Sequence, residues 1–237
     1  MVLDVAQEEG VDVPNLCHEP GLPPLATCRL CIVELERGGR TRVVTSCDLP
    51  VMEGMVVRTA SERLDRLRAM VMGLHLARAP GSTRLRETAE RLALPIPQGL
   101  RVADLQQSCI LCGLCERVCT HRVGARALGF AGRGSSRRVT LPFDERDTGA
   151  CIGCGACSAV CPTGCIEIER LALDRLRARW GEERPCRYAL MGLLPGTICA
   201  HDYRCATCQV DHEMMDLAGG RHPIFLDAPD ELPGGGR

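Results

Sequence analysis

The chain contains no lysine: all 29 of its basic side chains are arginine, set against 30 acidic ones. A formal net charge of −1 gives no strong attraction to nucleic acid. No helix-turn-helix pattern or basic patch supplies one locally. With 25 glycines and 15 prolines alongside, the exclusive use of arginine reads as a genome-composition bias rather than a functional signal. Aromatic residues are almost missing, with one Trp, two Tyr and three Phe in 237 residues, so a core must be built from Leu, Val and Ala. Long apolar runs are missing too. The most apolar stretch, YALMGLLPGTICA, is interrupted by Pro195 and is too short to cross a membrane. The N-terminal MVLDVAQEEG has no basic segment leading into an apolar one, so a secretory signal is not expected. Neither a GxGxxG turn nor a phosphate loop is present, which places any nucleotide chemistry on other chains.

Cysteine is abundant instead, with 17 residues. A count this high means either a disulfide framework or metal ligation. The odd number, the repeated CxxC spacing and the absent signal favour ligation in a reducing, cytoplasmic setting. Several small lobes, each organised around an inorganic centre, fit this composition better than one large core.

Two runs repeat one pattern. CILCGLCERVC carries Cys109, Cys112, Cys115 and Cys119, and CIGCGACSAVCP carries Cys151, Cys154, Cys157 and Cys161. Both read C-x2-C-x2-C-x3-C, the bacterial ferredoxin run for a [4Fe–4S] cube. Zinc ribbons use separated CxxC pairs, so this spacing selects iron–sulfur. In such runs the fourth cysteine serves the other cube. One set is therefore Cys109, Cys112, Cys115 and Cys161, and the other is Cys151, Cys154, Cys157 and Cys119. The small residues Gly113, Gly153, Gly155 and Ala156 let the backbone approach a cluster. Cys165 has no place in the pattern and is expected to be a small buried residue beside it.

Cys17, Cys28, Cys31 and Cys47 form a third set, C-x10-C-x2-C-x15-C, whose spacing suits a [2Fe–2S] rhomb but also admits zinc. Cys186, Cys199, Cys205 and Cys208 form a fourth, C-x12-C-x5-C-x2-C. That leftover set has the ligand count for one further site, with zinc, iron–sulfur and unligated thiols all open. His201 and His212 lie close by as substitute ligands but read more simply as surface residues, as does His121.

The local patterns predict a short helix over LDVAQEEG and a hairpin of CIVELER and TRVVTSC turned at GGR. A further strand is predicted at MVVRT. An amphipathic helix is predicted over 61–79, with Ser61 as N-cap and Leu64, Leu67, Met70, Val71 and Leu74 recurring at helical spacing as its apolar stripe. A second helix is expected over 83–94 with Leu85, Ala89 and Leu92 on one face, a solvated hairpin at SSRRV, and a charged helix over 169–180. The end, APDELPGGGR, reads as a tail.

The stretches LCHEPGLPPLATCRLCIVEL and VTSCDLPVMEGMVVRT resemble a known family of iron–sulfur subunits. Its members are the large iron–sulfur subunit of complex I, the diaphorase iron–sulfur subunit of NAD-linked bidirectional hydrogenases, and the N-terminal region of iron-only hydrogenases. The resemblance covers about residues 2–75 and 105–170. It implies a [2Fe–2S] β-grasp domain joined to a two-cube ferredoxin domain, and with the local patterns the expectation is an α+β chain in four parts. Residues 1–60 would be a β-grasp [2Fe–2S] lobe and 61–104 a helical linker. Residues 105–170 would be a two-cluster ferredoxin-like domain, and 171–237 a small Cys-rich module and tail. It also raises [2Fe–2S] above zinc for the first set. His18, which the family shares, is expected to hydrogen-bond near the rhomb.

Two departures stand out. The family's site of one histidine and three cysteines, H-x3-C-x2-C-x5-C, has no counterpart in the cysteine-free GLHLARAPGSTRLRETAERLALP. His75 stands near its place and reads as a packed or surface histidine. The family also begins with a β-hairpin ahead of the helix matching LDVAQEEG. Either the start lies upstream, or the lobe is truncated and its sheet exposes an edge.

The implied role is that of a non-catalytic electron-transfer subunit. It would have a flavin-bearing NAD(P)H-binding subunit on one side and a catalytic subunit of hydrogenase, formate dehydrogenase or bifurcating type on the other. Two other classes stay open: a free multi-cluster ferredoxin, and a zinc-stabilised interaction or redox-sensor protein.

Overall fold

The turn in ERGGRTR sets the N-terminal sheet. Gly38 and Gly39 both hold positive φ, 59° and 72°, as a two-residue hairpin turn matched to the twist of its strands requires. In the computed structural model, which describes residues 1–141, 150–166, 168–180 and 184–226, this turn joins β1 (Ile32–Arg37) to β2 (Arg40–Thr45). Their antiparallel register runs from Ile32↔Thr45 to Arg37↔Arg40. β3 (Val56–Arg58) pairs with the other side of β1, giving the order β2-β1-β3. β2 and β3 are therefore the outer strands.

The chain divides into two units, one of residues 1–114 with 162–165 and the other of 115–161 with 166–237. In the first, α1 (Val2–Glu8) covers the sheet. Leu3, Val13, Ala26 and Val33 are buried together with Cys31 and Cys47. No aromatic residue precedes Phe130, so this core is aliphatic and two of its members are thiols.

α2 (Glu62–Arg78) starts as the sequence predicts, with Ser61 Oγ accepting from the Leu64 amide at 3.2 Å. Its buried face is not the predicted stripe. Leu67, Met70 and Leu74 are 39%, 45% and 55% exposed and Val71 is half-buried, whereas Leu64, Arg68, Ala69, Met72 and Gly73 are buried. The reason is Arg68, whose guanidinium donates to the carbonyls of Ile32 (2.7 Å) and Thr59 (2.9 Å) and so turns its own side of the helix inward. α3 (Thr83–Arg91) buries Leu85 and Ala89, with Leu92 half-buried at its C-cap. It is capped by Ser82, whose Oγ accepts from the Leu85 amide and donates to the Thr163 carbonyl.

In the second unit α4 (Leu114–His121), begun at the division, leads to a hairpin of β4 (Gly129–Ala131) and β5 (Arg138–Thr140). This is the hairpin expected at SSRRV, and the Arg137 guanidinium stacks 4.3 Å from the centre of the Phe130 ring. α5 (Ala156–Ala159), α6 (Ile168–Trp180), α7 (Arg187–Leu190) and α8 (Gln209–Leu217) follow. Tyr188, Tyr203 and Phe225 are buried here. The predicted tail APDELPGGGR lies outside the described residues. Among the described residues, no helix is long and apolar enough to cross a membrane.

Candidate metal centres

None of the 17 cysteines is in a disulfide. The N-terminal four come from a loop (Cys17), the approach to β1 (Cys28 and Cys31) and the segment after β2 (Cys47), and all four are buried. They meet pairwise: Cys17 touches Cys28 and Cys47, and Cys47 touches Cys31. Among the described residues no trio of His, Cys, Asp or Glu closes around a single ion. The contacts form a chain, with Cys17 and Cys28 at one end and Cys31 and Cys47 at the other.

Their electrostatics show why a cation belongs there. The Cys28 thiol beside it pulls Cys17 down to about 2, and Cys47 pulls Cys31 down to about 6. Contact with those favoured thiolates pushes Cys28 and Cys47 far up. Four buried thiols in contact cannot all ionise unless positive charge lies between them.

The peptide groups around these thiols are satisfied in one sense. Amides point at sulfur, as the Cys28 N–H does at Cys17 Sγ (3.4 Å). Carbonyls are taken by side chains: Ser46 Oγ donates to Cys31 O at 2.8 Å, and His75 Nε2 donates to Cys28 O at 2.9 Å. His75 thus braces the CRLC loop, a role its distance in sequence hid. His18 has a buried side chain, with Nε2 2.8 Å from Asp4 Oδ1 in α1.

The two ferredoxin runs share a backbone. Leu111 and Gly153, at the same place in each, have φ of 57° and 64°, and Gly113 and Gly155 have φ of 75° and 80°. Alternating handedness aims successive amides at one point, a nest for an anionic centre. The Leu111 amide donates to Cys109 Sγ (3.4 Å) and the Ala127 amide to Cys119 Sγ (3.2 Å). In the second unit, burial pushes Cys157 well above the thiol range, helped by Cys154, Cys151, Cys115 and Cys119. The distal Cys119 therefore lies in the electrostatic neighbourhood of the second run. Cys109 and Cys112 belong to the first unit, and Cys115 and Cys161 to the second. Cys165 is half-buried rather than buried.

Here too the carbonyls are braced from afar. Arg175 of α6 donates to Cys151 O. Buried His222 donates from Nε2 to Cys154 O at 2.9 Å, while its Nδ1 accepts from the Ile224 amide at 3.2 Å. That acceptor role places the ring proton on Nε2. Nothing in RHPIFL marks His222 from sequence.

The last four cysteines, all half-buried, line one cavity of about 120 Å³ together with Arg187, Tyr188, Tyr203 and Asp211. Burial raises Cys186 and takes Cys205 up to about 11. His201 and His121 are exposed, and so is His212, whose Nε2 lies 2.9 Å from the Ala206 carbonyl.

Comparison with known proteins matches residues 1–62 to the 2Fe-2S iron-sulfur cluster binding domain and residues 108–165 to the 4Fe-4S dicluster domain. A subunit of an NADH-quinone oxidoreductase of Rhizobium meliloti is 31% identical over 192 residues, covering 70% of this chain and 22% of the relative. The HndD subunit of the NADP-reducing hydrogenase of Solidesulfovibrio fructosivorans is 33% identical over 196 residues, covering 70% of this chain and 33% of the relative. The chain thus spans between about a fifth and a third of the length of these curated relatives. Among solved structures, a chain of an NAD+-reducing [NiFe]-hydrogenase in the H2-reduced state aligns with a TM-score of 0.51 and 28% identity, covering 60% of this chain and 68% of that one. A 2Fe-2S domain followed by a 4Fe-4S dicluster domain, in the mixed helix-and-sheet setting described above, is the arrangement these matches trace. The chain belongs to the family of iron–sulfur subunits that includes the large iron–sulfur subunit of complex I and subunits of NAD(P)-linked hydrogenases.

Proposed function

We propose that the chain is an electron-transfer iron–sulfur subunit of a multisubunit NAD(P)H-linked oxidoreductase. It would work in the cytoplasm between a flavin-bearing NAD(P)H-binding subunit and a catalytic subunit of hydrogenase, formate dehydrogenase or bifurcating type. The chain itself is non-catalytic. The observation that carries this reading is the meeting of Cys17, Cys28, Cys31 and Cys47 inside an aliphatic core, where only a polycationic centre lets all four ionise. The names of the relatives, an NADH-quinone oxidoreductase and an NADP-reducing hydrogenase, support the choice of complex.

Cys17, Cys28, Cys31 and Cys47 are assigned to a [2Fe–2S] cluster. Cys109, Cys112, Cys115 and Cys161 are assigned to one [4Fe–4S] cluster, and Cys119, Cys151, Cys154 and Cys157 to a second, following the ferredoxin pattern. When bound, such clusters take up and release electrons singly, which matches them to a flavin that splits a hydride pair. The protein holds the thiolates, aims amides at sulfur and keeps water out. Its braces, Ser46, His75, Arg175 and His222, fix the carbonyls that would otherwise compete for those amides. With α2 and α3 occupying residues 62–91 and no cysteine between Cys47 and Cys109, the relay runs without the family's centre of one histidine and three cysteines.

Anaerobic gel filtration of native extract tests the reading. The chain is expected to elute with flavin and NAD(P)H-oxidising activity and, on reduction, to show one rhomb-type and at least two cube-type EPR signals. Elution alone would make it a diffusible ferredoxin. A colourless, zinc-loaded chain, or iron well below about ten atoms per chain, would overturn the three clusters.

A further inference from the structure

Of residues 184–217 only Tyr188, Tyr203 and Met214 are buried apolar side chains, and segments with so small a core need staples. Their framework converges on four thiols. Cys186 and Cys199 sit on two short antiparallel segments around a Pro185–Ile198 bridge. There the Cys186 amide donates to Thr197 O and the Cys199 amide to Arg184 O, both at 2.8 Å. Cys208 is the N-cap residue of α8, and Cys205 opens the 3₁₀ turn just before it. α7, which starts directly after Cys186, is locked to α8 by buried Asp211, which accepts from Tyr188 Oη at 2.7 Å and from Arg187. Tyr203 closes the far side through its hydroxyl, which donates to Pro185 O at 2.9 Å. These elements hold all four thiols on the wall of one cavity.

The peptide groups are oriented as they are around the other sets. The Tyr203 amide donates to Cys199 Sγ at 3.2 Å, and the amides of Tyr188 and Ala189 point at the Cys186 sulfur. The same N–H···S contact occurs at Cys17 and Cys119, inside the two family domains. Amides aimed at sulfur reward a thiolate far more than a neutral thiol. The Arg187 guanidinium beside Cys205 supplies a cation for an anionic thiolate centre.

The spread of the sulfurs decides which centre. Four-thiolate zinc draws its ligands to about 2.3 Å from one point. Here the four cysteines instead lie among the residues lining a cavity of about 120 Å³. That room suits a core of several atoms. We propose that Cys186, Cys199, Cys205 and Cys208 hold a fourth cluster, of the [4Fe–4S] class.

Anaerobically reconstituted full-length chain is assayed for iron, acid-labile sulfide and zinc, beside Cys205→Ser and Cys199→Ser variants. About fourteen irons and no zinc are expected in the wild type, and about four irons and four sulfides fewer in each variant, with the rhomb EPR signal kept as evidence of folding. One zinc per chain with about ten irons overturns the proposal, as does retention of all iron in both variants. The wild-type count decides the matter even where a variant fails to fold.

Discussion

Arg68 offers the sharpest test of how the first unit is held together. It is 5% exposed and bridges α2 to the start of β1 and the end of β3 by donating to Ile32 O at 2.7 Å and Thr59 O at 2.9 Å. A hydrogen bond from a charged donor contributes about 1.5–3 kcal/mol. Against this, burial holds Arg68 below the usual guanidinium range, and its Nε has no partner among the described residues. Part of the gain is therefore offset by desolvation. Replacement by Met keeps the buried stem and strands two carbonyls, for a net loss of about 3 kcal/mol. With a guanidinium slope of about 3 kcal/mol per molar, the midpoint should fall by about 1 M. The assay is anaerobic denaturation of holoprotein followed by the visible circular dichroism of the rhomb. Arg63→Ala is the control: its ion pair with Glu34 is 3.9 Å long and its side chain 57% exposed, so the midpoint should move by less than about 0.3 M. Equal midpoints for Arg68→Met and Arg63→Ala would refute the bracing role.

At the second ferredoxin run, His222→Ala frees the Cys154 carbonyl and should weaken that part of the second unit by about 1–3 kcal/mol. Faster loss of cube-type EPR signals under chelator, with the rhomb signal unchanged, is the expected readout, and loss rates matching wild type would count against it. Gly153→Ala adds to the left-handed backbone cost of about 1–2 kcal/mol the displacement of Leu173, whose Cδ2 lies 2.7 Å from the new Cβ. Thermal melts of the variant should fall accordingly, whereas Gly10→Ala, with positive φ but open space around it, should lose only the backbone part.

Local rules made much of the chain legible before any coordinates. The ferredoxin runs announce themselves because one loop must wrap one cluster corner, so ligand spacing is a short-range property. Ser61 as N-cap and the Gly38–Gly39 turn follow from equally local geometry. The buried face of α2 did not follow, because periodicity ranks Leu67, Met70 and Leu74 as core while the tertiary demand of two distant carbonyls turns Arg68 inward instead. His75, His222 and Arg175 were equally hidden. Each meets a cysteine carbonyl 47, 68 or 24 residues away, and a hydrogen bond across such a separation leaves no pattern in the chain. The last four cysteines fall between these cases. Their number was plain in the sequence, but only the antiparallel bridge and the Arg187–Asp211–Tyr188 network bring them around one cavity. The sequence by itself determined which atoms can hold metal, because that is residue chemistry at short spacing. The tertiary structure decided which backbone groups orient those atoms, because a buried carbonyl takes its donor from whatever the fold brings beside it.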